Sequence, residues 1–147
     1  MGQKTILFIE VDDDTRSIIR ANLQAGGHRV AVALDEEDAR ERTRGGRLRP
    51  DLILIDLDSP PREVLEVARG ICRQAELSNE TPIIVISCEY PSELVGKDVS
   101  VTATEYIAYL DEENPLGELV GRLLETKAIP KENRVENTEA YSPRRSA

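Results

Sequence analysis

Short apolar runs alternate with longer amphipathic stretches along this chain. Ile6-Leu7-Phe8-Ile9, Leu52-Ile53-Leu54-Ile55 and Ile83-Ile84-Val85-Ile86 are each brief, branched and bounded by polar residues. That is the pattern of strands covered on both faces. They predict strands at Thr5 to Val11, at Leu52 to Ile55 with Asp56 at its end, and at Ile83 to Ile86. His28 to Leu34, mostly Val and Ala, predicts another strand, and Tyr106 to Tyr109 a short fifth.

Helical spacing fills the gaps. After Asp14 or Thr15 as cap, Ile18, Ile19 and Leu23 form one stripe that closes at Gly26-Gly27. Asp35 is the expected N-cap of a charged helix that Gly45-Gly46 ends. Pro60-Pro61 stops the third strand, and Val64, Leu65, Val67, Ala68 and Ile71 follow at helical period. Asn114-Pro115 starts the last helix, which carries Leu116, Leu119, Val120, Leu123 and Leu124. Between Cys88 and Tyr106 a further helix is due. Pro91 to Lys97 supplies little of it, and Asp98-Val99-Ser100-Val101-Thr102 is alternating and β-branched, so the fourth helix is expected to be short or irregular.

Five strand–helix repeats predict an α/β fold with a doubly wound, five-stranded parallel sheet over residues 1–125. Residues 126–147 are polar without apolar period and are expected to form a disordered tail. In such a sheet the carboxyl ends of the strands build the site. Here that edge gathers Glu10, Asp12, Asp13, Asp14, Asp56, Asp58 and Ser87.

Composition narrows the function. Hydrophobic residues make 39% of the chain but aromatics only 3%, so the core must be aliphatic. A formal net charge of -9 argues against nucleic-acid and anionic-membrane partners. Met1-Gly2-Gln3-Lys4 leads straight into a strand rather than a signal peptide, and Cys72 and Cys88 lack metal-ligand spacing. A cytoplasmic protein is expected. The single histidine, His28, makes neither a triad nor a zinc site. No Gly-rich phosphate loop is present.

Read together, the chain resembles the receiver domain of two-component response regulators, the CheY-like fold. The residues that carry the likeness are Ile6-Leu7-Phe8-Ile9-Glu10, Arg16 with Ile18-Ile19, Gly27-His28, Pro50-Asp51-Leu52-Ile53-Leu54-Ile55-Asp56-Leu57, Pro60, Thr81-Pro82-Ile83-Ile84-Val85-Ile86-Ser87, Glu105-Tyr106-Ile107 and Asn114-Pro115. The resemblance implies that Asp56 is the phosphoacceptor for a histidine kinase or phosphotransfer protein, that Ser87 and Tyr106 are the switch pair, and that Mg²⁺ sits on an acidic pair after the first strand. It implies a downstream protein docking on the fourth helix, fifth strand and fifth helix, around Tyr106, Tyr109 and Leu116 to Leu124. It makes the chain a signalling domain and not an enzyme.

Two positions depart from the family pattern. Val11 falls on the second acid of the pair, and Mg²⁺ needs oxygen ligands that Val lacks. Tyr109 stands where the family has its phosphoryl-contacting Lys, followed by Leu110 in place of Pro. A metal set of Glu10, Asp12 and Asp56, with Asp13 and Asp58 nearby, is the expected rescue; a solvated turn and helix cap is the plainer reading of Asp12 to Asp14. The preferred expectation is therefore a pseudo-receiver acting by protein contact, with weak or absent Mg²⁺-dependent phosphorylation. The alternative is a working phosphoacceptor receiver. A remoter one, from the Asp-x-Asp pattern of Asp56-Leu57-Asp58, is a small phosphohydrolase.

Overall fold

The computed structural model describes residues 3–87, 98–109 and 116–128. Strands β1 (Thr5–Glu10), β2 (Arg29–Ala33), β3 (Leu52–Asp56), β4 (Ile83–Ser87), β5 (Asp98–Ser100) and β6 (Glu105–Tyr109) form one sheet in the order β2-β1-β3-β4-β6-β5. Among the described residues the α-helices are α1 (Asp13–Ala25), α2 (Glu36–Thr43), α3 (Pro61–Gln74) and α4 (Leu116–Ala128). The parallel register runs Glu10↔Asp56 between β1 and β3, Ile55↔Val85 between β3 and β4, and Ser87↔Tyr109 between β4 and β6.

Side-chain alternation splits the core into two layers. Leu7, Ile9, Ile53, Ile55, Ile83, Val85 and Ile107 pack under α2 and α3, with Ala39, Val64, Leu65, Ala68 and Ile71. Ile6, Phe8, Leu52, Leu54, Ile84, Ile86 and Ala108 pack under α1 and α4, with Ile19, Leu23, Leu119, Val120 and Leu124. The doubly wound α/β expectation holds, and the parallel strands expected from the sequence are all present, one of them here β6.

The sheet has a sixth strand beyond the five expected. The β-branched segment noted before Tyr106 folds back as a hairpin, and β5 pairs antiparallel with β6, Val99 opposite Ile107. The turn closes on itself: the Val101 and Thr102 N–H groups donate to the Glu105 carbonyl at 2.8 and 3.2 Å, and the Thr102 hydroxyl donates to Glu105 Oε1 at 3.1 Å. The alternating, β-branched sequence favours extended backbone here, and a short hairpin costs little chain entropy. Glu105 also accepts a forked pair of hydrogen bonds from Arg69 Nε and Nη2, at 2.8 and 2.6 Å, which ties α3 to the start of β6. The expected fourth helix at Pro91 to Lys97 lies outside the described residues, as do Cys88, Leu110 and the Asn114-Pro115 helix start. Helix α4 reaches Ala128, past the boundary expected at 125; the rest of the tail is likewise outside.

Two local expectations change. The N-cap of α1 is Asp12, whose Oδ2 accepts the Thr15 N–H at 2.8 Å, and not Asp14 or Thr15. Ile18 does not join the inward stripe; it is 64% exposed, because Ile19 and Leu23, four residues apart, share the buried face and Ile18 lies a step around the helix from it. The glycine stop behaves as expected: Gly27 takes φ +94, and the N–H groups of Gly27 and His28 close on the Gln24 and Leu23 carbonyls.

Candidate functional site

Glu10 and Asp56 end adjacent strands in matched register. Both continue the parity of the α1–α4 layer, Glu10 after Ile6 and Phe8, Asp56 after Leu52 and Leu54. Glu10 is almost fully buried at 1% exposure. Its Oε2 accepts the Asp12 N–H at 3.1 Å, whereas its buried Oε1 meets no donor among the described residues. The Asp56 carboxyl is its close acidic neighbour. Two buried carboxyls this close disfavour double ionisation. Burial, then the Asp56 carboxyl beside it, pushes Glu10 up to about 8. Burial also raises Asp56, with the charges of Asp12 and Asp58 adding to it and Glu10 opposing.

The flanking acids are spent on local structure. Asp12 is fully exposed and caps α1, and the Thr15 N–H holds its carboxyl below the usual range. Asp13 forms an ion pair with Arg16 at 2.6 Å. Arg16 in turn donates from Nε to the Glu10 carbonyl at 3.0 Å, which braces the end of β1 against α1. Sequence reasoning used Arg16 only as a landmark; the signal for its bracing role was the Asp13–Arg16 spacing of three within one helical turn. Asp58 is exposed on the loop beyond β3.

Ser87 ends β4, buried, on the same edge of the sheet. Tyr109 ends β6 opposite Ser87 but packs against the α2–α3 layer, on the other face from the carboxyl pair. Tyr106 packs against the α1–α4 layer, and its hydroxyl donates to the Ala103 carbonyl at 3.4 Å. Of the residues expected on the docking face, Leu119, Val120 and Leu124 are buried in the core.

The fold compares directly with known structures. Chemotaxis protein CheY4 of Vibrio cholerae superposes with a TM-score of 0.60 at 23% identity, over 85% of this chain and 98% of that one. Among curated proteins, the transcriptional regulatory protein AfsQ1 of Streptomyces coelicolor is 36% identical over 83 residues, 56% of this chain and 34% of AfsQ1. The chain has the CheY-like receiver fold and is similar in sequence to response regulators. No family model matches it. It spans about a third of the length of AfsQ1, so what lies beyond the receiver in that protein has no counterpart in the compared residues.

A third relative carries a metal. The receiver domain of the sensor histidine kinase PA1611 from Pseudomonas aeruginosa, with a magnesium ion coordinated in its active site cleft, has a TM-score of 0.60 at 20% identity, over 84% of this chain and 99% of that one. The residues of this receiver do not fit the ion. Val11, 45% exposed, stands beside Glu10 and supplies no oxygen. Asp12 gives one carboxylate oxygen, Oδ2, to the helix cap. Among the described residues no three acids, histidines or cysteines come together as a metal-binding group. The expected set of Glu10, Asp12 and Asp56 is thus not assembled.

Proposed function

We propose that this receiver works in two-component signalling as a pseudo-receiver, engaging partners by protein contact rather than by Mg²⁺-dependent phosphorylation of Asp56. One observation carries the reading: no third acid joins Glu10 and Asp56 as a metal-binding group among the described residues, Asp12 capping α1 instead. Phosphoryl transfer needs an ionised, exposed nucleophile and positive charge facing the transferred group. Asp56 is raised and partly buried, Val11 offers no metal ligand, and Tyr109 brings a phenol in place of an ammonium, packed on the opposite layer. A phenol donates one hydrogen bond and no charge. The partners that fit are a histidine kinase or phosphotransfer protein on one side and a downstream protein on the other. The surface offered beside β5 and β6 consists of Tyr106 with the half-buried Leu116 and Leu123.

Beryllofluoride with Mg²⁺ tests this directly. At millimolar concentrations the amide resonances of Ser87 and Tyr106 should stay unmoved. A Val11→Asp/Tyr109→Lys double variant supplies the missing oxygen and cation, and should acquire Mg²⁺-dependent shifts around Asp56. Shifts in the wild-type chain, or labelling by acetyl phosphate that disappears in Asp56→Asn, would establish the phosphoacceptor alternative instead. Metal-dependent, saturable turnover of a phosphate ester would mark the phosphohydrolase.

A further inference from the structure

β2 is an edge strand: β1 pairs one side, and no described strand pairs the other. The Arg29 N–H donates to the Lys4 carbonyl at 2.9 Å, so in the parallel register Arg29, Ala31 and Ala33 bond inward to β1. The peptide groups of Val30 and Val32 therefore point away from the sheet. The window is closed at both ends. The His28 N–H is taken by the Leu23 carbonyl at 3.3 Å, and the Leu34 N–H by Asp38 Oδ2 at 2.9 Å. Native edges are normally guarded by Lys, Pro or a bulge. Val30-Ala31-Val32-Ala33 has neither Lys nor Pro, and its register with β1 runs unbroken.

We propose that the open edge of β2 pairs antiparallel with the same edge of a second copy of this chain, about a two-fold axis at Ala31. In that register Val30 lies opposite Val32 of the partner subunit as a hydrogen-bonded pair, and its symmetry mate repeats the bonds. Ala31 meets its own counterpart as the non-hydrogen-bonded pair, where Cα atoms approach to roughly 4.5 Å and a methyl group fits. The ends are complementary in charge. Arg29 is exposed and makes no ion pair among the described residues. It falls diagonal to Asp35 of the partner subunit, within reach of a long side chain. Asp35 gives only Oδ1 to the cap of α2. The exposed Leu34 lands opposite His28 of the partner subunit. A foreign strand would have to match this register and charge order, whereas a second copy does so by symmetry.

The test is sedimentation equilibrium of the full chain from micromolar to millimolar concentration, joined to amide hydrogen exchange over the same range. Dimer should grow with concentration, and the Val30 and Val32 amides should slow at least about tenfold while Ala31 and Ala33, already bonded to β1, keep their rates. Val32→Pro removes an outward donor without touching a bond to β1 and should leave a folded monomer. If that variant does not fold, the exchange pattern of the wild-type chain still decides. A monomer at millimolar concentration overturns the proposal. So does a dimer that leaves Val30 and Val32 unprotected, or protection at those amides independent of concentration, which would mark an intrachain occupant.

Discussion

Replacing Glu10 by Gln isolates the raised Glu10 carboxyl. Gln keeps the shape, can still accept the Asp12 N–H, and offers Asp56 an amide donor that needs no proton. In the wild-type protein Glu10 is raised from 4.5 to about 8, so the folded state holds a proton that the unfolded chain releases near pH 4.5. Where the folded state binds more protons, stability falls as pH rises. The pair's stabilisation is therefore complete below about pH 4.5 and is lost progressively as pH climbs through about 8. One pKa unit is about 1.36 kcal/mol, so the loss has a ceiling of about 5 kcal/mol. The proton belongs to the pair and Asp56 relaxes with it, so roughly half that ceiling is the working expectation. Urea unfolding of both chains at pH 5, 6, 7, 8 and 9 gives the assay. At pH 5 the curves should nearly coincide, and Glu10→Gln should be the more stable by about 2–3 kcal/mol at pH 8–9. Parallel wild-type and variant stabilities across that range, or a variant weaker at pH 9, would refute the account of a raised Glu10 at this edge.

The inward face of α4 and the outward face of α1 give opposite expectations. Leu119→Ala should cost about 2–5 kcal/mol by calorimetry because Leu119 is buried at 2% exposure. Ile18→Ala should stay within about 0.5 kcal/mol, since Ile18 is exposed. At the other end of the sheet, Arg69→Ala removes the fork on Glu105, whose carboxyl is 12% exposed, and should cost about 1–3 kcal/mol in chemical denaturation. Arg69→Lys should recover only part of that, because an ammonium cannot reproduce the two-pronged bond. Arg69 holds the Glu105 carboxyl below its usual value, so this contribution is present at neutral pH and lost on acidification below about pH 4.5.

Much of this receiver was readable from residue order. Branched apolar runs bounded by polar residues mark the parallel strands, because four-residue runs too short for a helix and rich in β-branched side chains suit a strand covered on both faces. Asp35, Pro61 and Gly26-Gly27 mark helix ends through backbone chemistry that acts within a few residues. The positions of Asp56 and Val11 could be read by counting, since matched strand lengths put equivalent residues on one edge. Long-range geometry lay beyond that reading. Whether Asp12 would swing toward a metal or cap α1 depends on the competition between the Thr15 N–H and a distant carboxyl. The face taken by Ile18 follows from which stripe of α1 packs on the sheet, and burial of Leu119 and Leu124 from the docking of α4 on it. The upward shift of Glu10 arises only when two acids far apart in the chain meet where Glu10 is buried. Burial and through-space charge are properties of assembled neighbours, so the fold alone decides them.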